Sequence, residues 1–197
     1  MSKKEKIDEL VEANNGYLFS SEVEKLNVSR AYISKYVKDN KMERVASGIY
    51  ITEDTWEDEL FIIQRKYPSV VYSGETALYL HDLLDREYSA VFVSVPPNFS
   101  GTRLRNRGIE IHREKLDTYE LGIEEINTNY GNTVRAYDTE RCICDLIKNR
   151  KDMEIQNFQS AIHSYMNRKD KKLTKLLIYA SKLKISDEVM KYIEVLV

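Results

Sequence analysis

Cysteine is nearly absent from this chain: among 197 residues only Cys142 and Cys144 occur, two positions apart. Neighbours at that spacing are poorly placed to bridge, so no disulfide framework is expected. No second cluster of cysteine and histidine offers a zinc cage. Both thiols read as small, reduced core groups. The three histidines, His81, His112 and His163, are scattered, with no ligand spacing around them. No metal and no cofactor is therefore expected. Long apolar runs are missing too, since nothing approaches the roughly 18–20 residues that a membrane span needs. The opening residues, Met-Ser-Lys-Lys-Glu-Lys-Ile, lack the apolar stretch of a signal peptide. A cytoplasmic protein that stays off membranes is expected. Neither a glycine-rich phosphate loop nor a Gly-x-Ser-x-Gly elbow occurs. Asp138 and Glu140 near Lys148 loosely suggest a metal-dependent nuclease, but acids are commonplace at helix starts, where they meet the positive end of the dipole. The balance is against an enzyme.

What the chain does have is unevenly placed charge. The formal net charge is −2. Residues 1–52 carry nine basic and eight acidic side chains, residues 53–140 nine and seventeen, and residues 141–197 twelve and seven. Within the first block, residues 25–48 hold six basic and two acidic side chains. Local positive charge is what meets phosphates, because each neutralised phosphate releases condensed counterions.

The first fifty residues have the pattern of short helices and a hairpin. Ile7, Leu10 and Val11 recur at helical spacing and mark a first helix over about residues 3–14, which Asn14, Asn15 and Gly16 end. Tyr17, Leu18 and Phe19 read as a short apolar link. Ser21 with Glu24 three residues on predicts a capping box and a second helix with Val23 and Leu26 inward. Asn27 makes a turn. Ser29 can cap a third helix, Arg30 to Asp39, with Val28 stapled onto Ile33. Ile33, Tyr36 and Val37 form its inner set, which leaves Arg30, Tyr32, Ser34, Lys35 and Lys38 outside. Met42–Val45 and Ile49–Ile51 read as strands around a Ser47-Gly48 turn. Two short helices about a tight turn, followed by a hairpin, predict a winged helix-turn-helix. In that geometry Ser29, Arg30, Tyr32, Ser34, Lys35 and Lys38 face bases or phosphates, while Lys41, Arg44 and Ser47 touch the flanking backbone. The alternative, a protein-docking module with a merely solvated basic face, is weakened by the scarcity of acids on that face.

The remainder reads as strands first and helices after. Thr55–Tyr67 has helical spacing, with Trp56, Leu60, Ile63 and Tyr67 on one stripe and Pro68 as its stop. Val70–Tyr72, Ala90–Val95 and the alternation around Ile109 and Ile111 predict strands, with a helix over Glu75–Leu84. Residues 121–128 and 133–137 predict a hairpin around Gly131-Asn132. From Thr139 four helices follow, the last with Val189, Ile193 and Leu196 inward. Arg103, Arg105 and Arg107 would share one strand face if extended, as a phosphate rail or a solvated hairpin face. Residues 148–184 hold ten basic and three acidic side chains. That makes Lys169, Lys171, Lys172 and Lys175 a possible second basic surface. The expected class is α+β: an N-terminal winged helix-turn-helix over residues 1–55, then a mixed α/β domain over 56–197 with a helical tail.

With these parts in order, the chain resembles the AbiEi antitoxin family. The resemblance rests on Val-Ser-Arg-Ala-Tyr-Ile-Ser-Lys (28–35) and Arg-Val-Ala-Ser-Gly-Ile-Tyr (44–50). Two later segments, Tyr-Ser-Gly-Glu-Thr-Ala-Leu-Tyr-Leu-His-Asp-Leu (72–83) and Asp-Thr-Glu-Arg-Cys-Ile-Cys-Asp-Leu (138–146), are more specific. One departure is Thr139, where the family pattern would place a proline. The resemblance implies an antitoxin of a type IV toxin–antitoxin system linked to abortive phage infection. It implies repression of its own operon through inverted repeats in double-stranded operator DNA. It also implies a nucleotidyltransferase-like cognate toxin that is countered without a stable complex. A transcriptional regulator with a ligand-sensing or dimerising C-terminal domain is the alternative.

Overall fold

Residues 2–85 and 87–196 are described by a computed structural model, with side chains through Glu194. Leu196, expected on the inner stripe of the last helix, lies outside the described side chains. The chain divides into two units, residues 1–65 with 128–132, and residues 66–127 with 133–197.

In the first unit, helix α1 (Lys3–Ala13) opens with a reciprocal cap: the Glu5 amide donates to Ser2 Oγ and the Ser2 amide to the Glu5 carboxylate. Gly16, at φ +87°, makes the exit; a Cβ there would lie 1.8 Å from Thr55 Oγ1, so only glycine fits. Strand β1 (Tyr17–Phe19) follows, then α2 (Ser20–Lys25) and α3 (Arg30–Asp39). Between these helices Asn27 adopts a left-handed turn at φ +58°. Strands β2 (Glu43–Ala46) and β3 (Ile49–Ile51) complete an antiparallel sheet of order β1-β3-β2, and α4 (Glu59–Lys66) comes after it. Leu18 joins Ile7, Val11, Val23, Val28, Ile33, Tyr36 and Met42 in one core. Tyr17 and Phe19 join Ile49, Ile51 and Ile62 in another.

That double burial corrects the reading of Tyr17–Phe19 as a link. Both faces of the strand are covered, so its three apolar residues show no alternation. The capping box at Ser21 does not form either. The helix opens at Ser20 after an uncapped Phe19, and Glu24 accepts instead from Arg30 Nε at 2.7 Å. Nor does Trp56 lie on an inward stripe: the helix begins three residues later, and Trp56 is 79% exposed.

The second unit is a mixed α+β assembly. Strand β4 (Val71–Tyr72) precedes α5 (Gly74–Leu80), β5 (Phe92–Val95), the one-turn α6 (Thr102–Arg105) and β6 (Glu110–Arg113). Then come the short α7 (Leu116–Tyr119) and the hairpin of β7 (Ile123–Asn127) and β8 (Thr133–Tyr137). The sheet order is β6-β5-β4-β8-β7. Pairs β4–β8 and β5–β6 are parallel, while β4–β5 and β7–β8 are antiparallel. Helices α8 (Thr139–Lys148), α9 (Ile155–Asn167), α10 (Leu173–Leu183) and α11 (Ser186–Leu196) form the tail. The extended rail of Arg103, Arg105 and Arg107 does not exist. Leu104 is fully buried, and the chain coils around it into α6, which carries Arg103 and Arg105 on a helical turn. Cys142 and Cys144 are buried free thiols, both pushed up by burial. Among the described residues, no helix is long and apolar enough to cross a membrane.

Candidate nucleic-acid interface

Helix α3 owes its two faces to its sequence. Ser29 caps it, its Oγ accepting from the Tyr32 amide at 3.4 Å. Ile33 and Tyr36 are buried, Val37 is half-buried, and the Tyr36 hydroxyl donates to Asp8 Oδ1 at 2.6 Å, which ties α3 to α1. Positions 30, 34 and 38 then share one face at the four-residue spacing of a helix. Arg30, Ser34 and Lys38 are all exposed there, as is Lys35 beside them.

Tyr32 corrects the expected outward set. It is half-buried against the core, and Lys3 Nζ stands 6.0 Å from its ring centroid. Arg30 is exposed and holds an exposed ion pair with Glu24 at 2.7 Å, a contact of the kind worth little in water. The hydrogen bond to Glu24 is the main cause that raises the Arg30 guanidinium above its ordinary value.

Lys41 takes a left-handed conformation at φ +51° just before β2, and its side chain is exposed. Arg44 Nε donates to the Ala46 carbonyl at 3.3 Å across a bulge in β2, and Ser47 leads into Gly48 at φ +73°. Lys35, Lys38, Lys41 and Arg44 have no ion-pair partner among the described residues. A groove of about 340 Å³ is lined by Tyr32, Lys35, Tyr36, Asp39, Asn40 and, from α1, Lys4. Lys4 was not among the residues singled out in the sequence; its only signal there was the Lys3-Lys4 pair.

The four lysines of the possible second surface differ among themselves. Lys169 and Lys172 are exposed. Lys171 is half-buried and donates to the Arg168 carbonyl at 3.1 Å. Lys175 is not part of a free surface: its ammonium lies 2.8 Å from Asp138 and 3.6 Å from Glu140, both buried. Burial alone would lower its pKa, but those carboxylates raise it. Arg168 likewise spends its fork on Asp170 at 2.9 and 2.8 Å.

Asp138 and Glu140 are equally committed. Asp138 caps α8, accepting from the Arg141 amide at 2.8 Å and from the Tyr179 hydroxyl at 3.0 Å. Glu140 accepts from the Lys172 amide at 3.0 Å. Their near neighbour is Lys175 rather than Lys148.

A buried charge cluster that the sequence reading missed centres on Arg141, whose side chain is wholly covered. It lies over the Tyr137 ring at 4.3 Å, donates to Asp145 Oδ2 at 2.9 Å and to the Leu121 carbonyl at 3.1 Å, and faces Glu114 at 3.3 Å. His112 Nε2 sits 3.1 Å from the same Glu114 oxygen, Oε1, that Arg141 faces. Burial tends to raise the Glu114 carboxyl, but His112, Thr118 and Arg141 together hold it down at about 2. His112 is raised in return, chiefly by its hydrogen bond to Glu114. Asp145 is raised by burial, and its Oδ1 has no hydrogen-bond partner among the described residues. Glu114, His112 and Asp145 line a cleft of about 260 Å³ together with Ser73, Glu75 and Phe92. No alternation or ligand spacing could have paired residues 31 positions apart; only the charged run 138–145 pointed at one end of the cluster.

No protein-family model and no curated protein matches the chain. Among solved structures it is similar to the RV2827C protein from Mycobacterium tuberculosis, with a TM-score of 0.50 and 8% sequence identity, over 94% of this chain and 78% of that one. At that identity the likeness is one of fold alone.

Proposed function

We propose that the first unit is a winged helix-turn-helix that binds duplex DNA, with α3 in the major groove and the β2–β3 hairpin on the flanking phosphates. The observation that carries this reading is the outer surface of α3. Ser34, Lys35 and Lys38 stand exposed on it beside Arg30, and its only acid is Asp39 in the last turn. Hydroxyl, ammonium and guanidinium groups near the start of such a helix are the donors that read base edges. The order of α1, α2, α3 and the hairpin, with the tight turn at Asn27, supports the same assignment. On the family resemblance, the DNA is the inverted repeats of the chain's own promoter. On the same ground, the second unit counters a nucleotidyltransferase-like toxin without a stable complex.

Fluorescence anisotropy with the promoter duplex and a scrambled duplex, over a range of salt, tests the first part. A Lys35→Ala/Lys38→Ala variant should lose affinity for the promoter; unchanged affinity would sink the assignment of α3. Co-expression with the neighbouring gene product, read as growth, tests the antitoxin part. The second reading, a regulator whose C-terminal domain senses a small molecule, is favoured by the cleft beside Asp145. It requires a compound that changes promoter affinity without any toxin present.

A further inference from the structure

Trp56 is the chain's one tryptophan, and it is 79% exposed. Its loop is nevertheless firmly held. The Thr52 amide donates to the Gly16 carbonyl at 3.1 Å, and the Thr52 and Thr55 hydroxyls lie 2.7 Å apart. The Trp56 carbonyl accepts from the Tyr17 hydroxyl at 2.9 Å, and the same phenol oxygen accepts from the Asp58 amide at 2.8 Å. Asp58 is buried, and its Oδ2 accepts from Thr128 Oγ1 at 2.6 Å and Asn132 Nδ2 at 2.9 Å. Those bonds hold the turn that presents Tyr130, itself 56% exposed. Trp56 and Tyr130, with Asn15, Asp54, Thr55 and Asn132, line a cavity of about 340 Å³ within the first unit.

The one charged residue in that lining is acidic, and so are the charged residues next to it in sequence. Asp54 lines the cavity, its sequence neighbours Glu53 and Glu57 are exposed, and no basic residue occurs from Thr52 to Gln64. Phosphates are repelled by these carboxylates, and a purely apolar partner would give Asp54 at the cavity no donor. A cation is what satisfies both features at once. The ring face attracts it, the carboxylates add charge-assisted hydrogen bonds, and arginine's planar fork does both. Exposed tryptophan and tyrosine on a pre-ordered loop are also the residue types that anchor protein interfaces, with little ordering left to lose on binding.

We propose that the Trp56–Tyr130 site docks a basic segment of a partner protein, with an arginine or lysine side chain seated against the Trp56 ring. This surface is distinct from α3 and does not rest on the DNA-binding reading. The test uses the full chain, whose single tryptophan reports on this site. Titration with an oligoarginine peptide should change Trp56 fluorescence saturably, and an oligoglutamate peptide should not. By calorimetry, Trp56→Ala should weaken oligoarginine binding about tenfold. Asp54→Asn/Glu57→Gln should weaken it at low salt, and Glu12→Gln should leave it unchanged. Trp56 packs on little, so circular dichroism of Trp56→Ala should match the parent. Equal affinity for parent and Trp56→Ala, or equal response to both peptides, would overturn the proposal. So would a concentration-dependent dimer in sedimentation that Trp56→Ala abolishes, since the occupant would then be a second copy of the chain.

Discussion

In the first unit Lys35, Lys38, Lys41 and Arg44 carry their charges in solvent, whereas in the second unit Arg141, Glu114, Asp138 and Glu140 carry theirs inside. The side-chain types are the same and their consequences differ. A solvated lysine keeps its hydration and can exchange it for a phosphate at small cost. A buried arginine has already exchanged water for specific protein oxygens, and removing it strips Asp145 of its partner and Glu114 of one of three. Charge density along a sequence therefore does not measure charge available for binding. The Lys-rich stretch after residue 148 shows this most plainly, since Lys175 and Arg168 are occupied within the protein.

The comparison breaks hardest at Arg141. Arg141→Met should leave Asp145 uncompensated and Glu114 with His112 and Thr118 alone, and cost about 3–5 kcal/mol, read as a shift of the urea midpoint for the second unit. A loss below about 1 kcal/mol would mean that water reaches the cluster. On the exposed side, if α3 binds the promoter as proposed, Arg30→Ala should cost about 1–3 kcal/mol of promoter affinity where it makes a bidentate base contact. Arg44→Ala should instead weaken operator and random duplex alike and reduce the salt slope by about one. If the two variants behaved identically, the division between helix and hairpin would fail.

A smaller effect is expected from pH, and its sign follows from the His112–Glu114 pair. His112 is raised above its ordinary 6.5, so its stabilisation is full below 6.5 and is lost as pH rises through the folded value. Glu114 is depressed from 4.5 to about 2, so its stabilisation is full above 4.5 and is lost as pH falls toward 2. Both contributions are complete between those values, and thermal unfolding should peak there. His112→Gln should flatten the alkaline side and, because His112 also helps hold Glu114 down, soften the acid side, both modestly, since half of the imidazole is in water. Smallest of all, Lys169→Gln and Lys172→Gln should each move stability by less than about 0.5 kcal/mol, as expected for exposed groups with no ion pair among the described residues. A larger loss at either would place it inside a network like that of Lys175.

The legible parts of the fold were those specified by neighbours in sequence. The Ser29 cap, the Asn27 turn and the hairpin about Gly131 each depend on three or four consecutive residues, and each formed where expected. The missed parts depend on distant ones. Glu24 would have closed a box with Ser21, yet Arg30 offered a charged donor and took it. Tyr17–Phe19 became a strand because Ile49–Ile51 pairs with it from 30 residues away. The spacing that set Trp56 on a helical stripe could not register that Thr52 and Thr55 hold that stretch as a loop. For the candidate interface, the exposed positions on α3 were visible as the complement of Ile33 and Tyr36. Tyr32 was not, because a tyrosine can lie along a core edge and still count as polar in a pattern.

Asp58 has a consequence for how the first unit can be inherited or transplanted. Its buried carboxylate draws its side-chain donors from Thr128 and Asn132, seventy or more positions downstream. A gene fragment ending near codon 65 would thus encode Asp58, α1 to α3 and the sheet without residues 128–132, leaving that carboxylate short of two side-chain donors. Recombination at a single breakpoint cannot move this unit intact. Any chimera that borrows it must bring two separate stretches of coding sequence, or replace Asp58 with a side chain that asks for no donor.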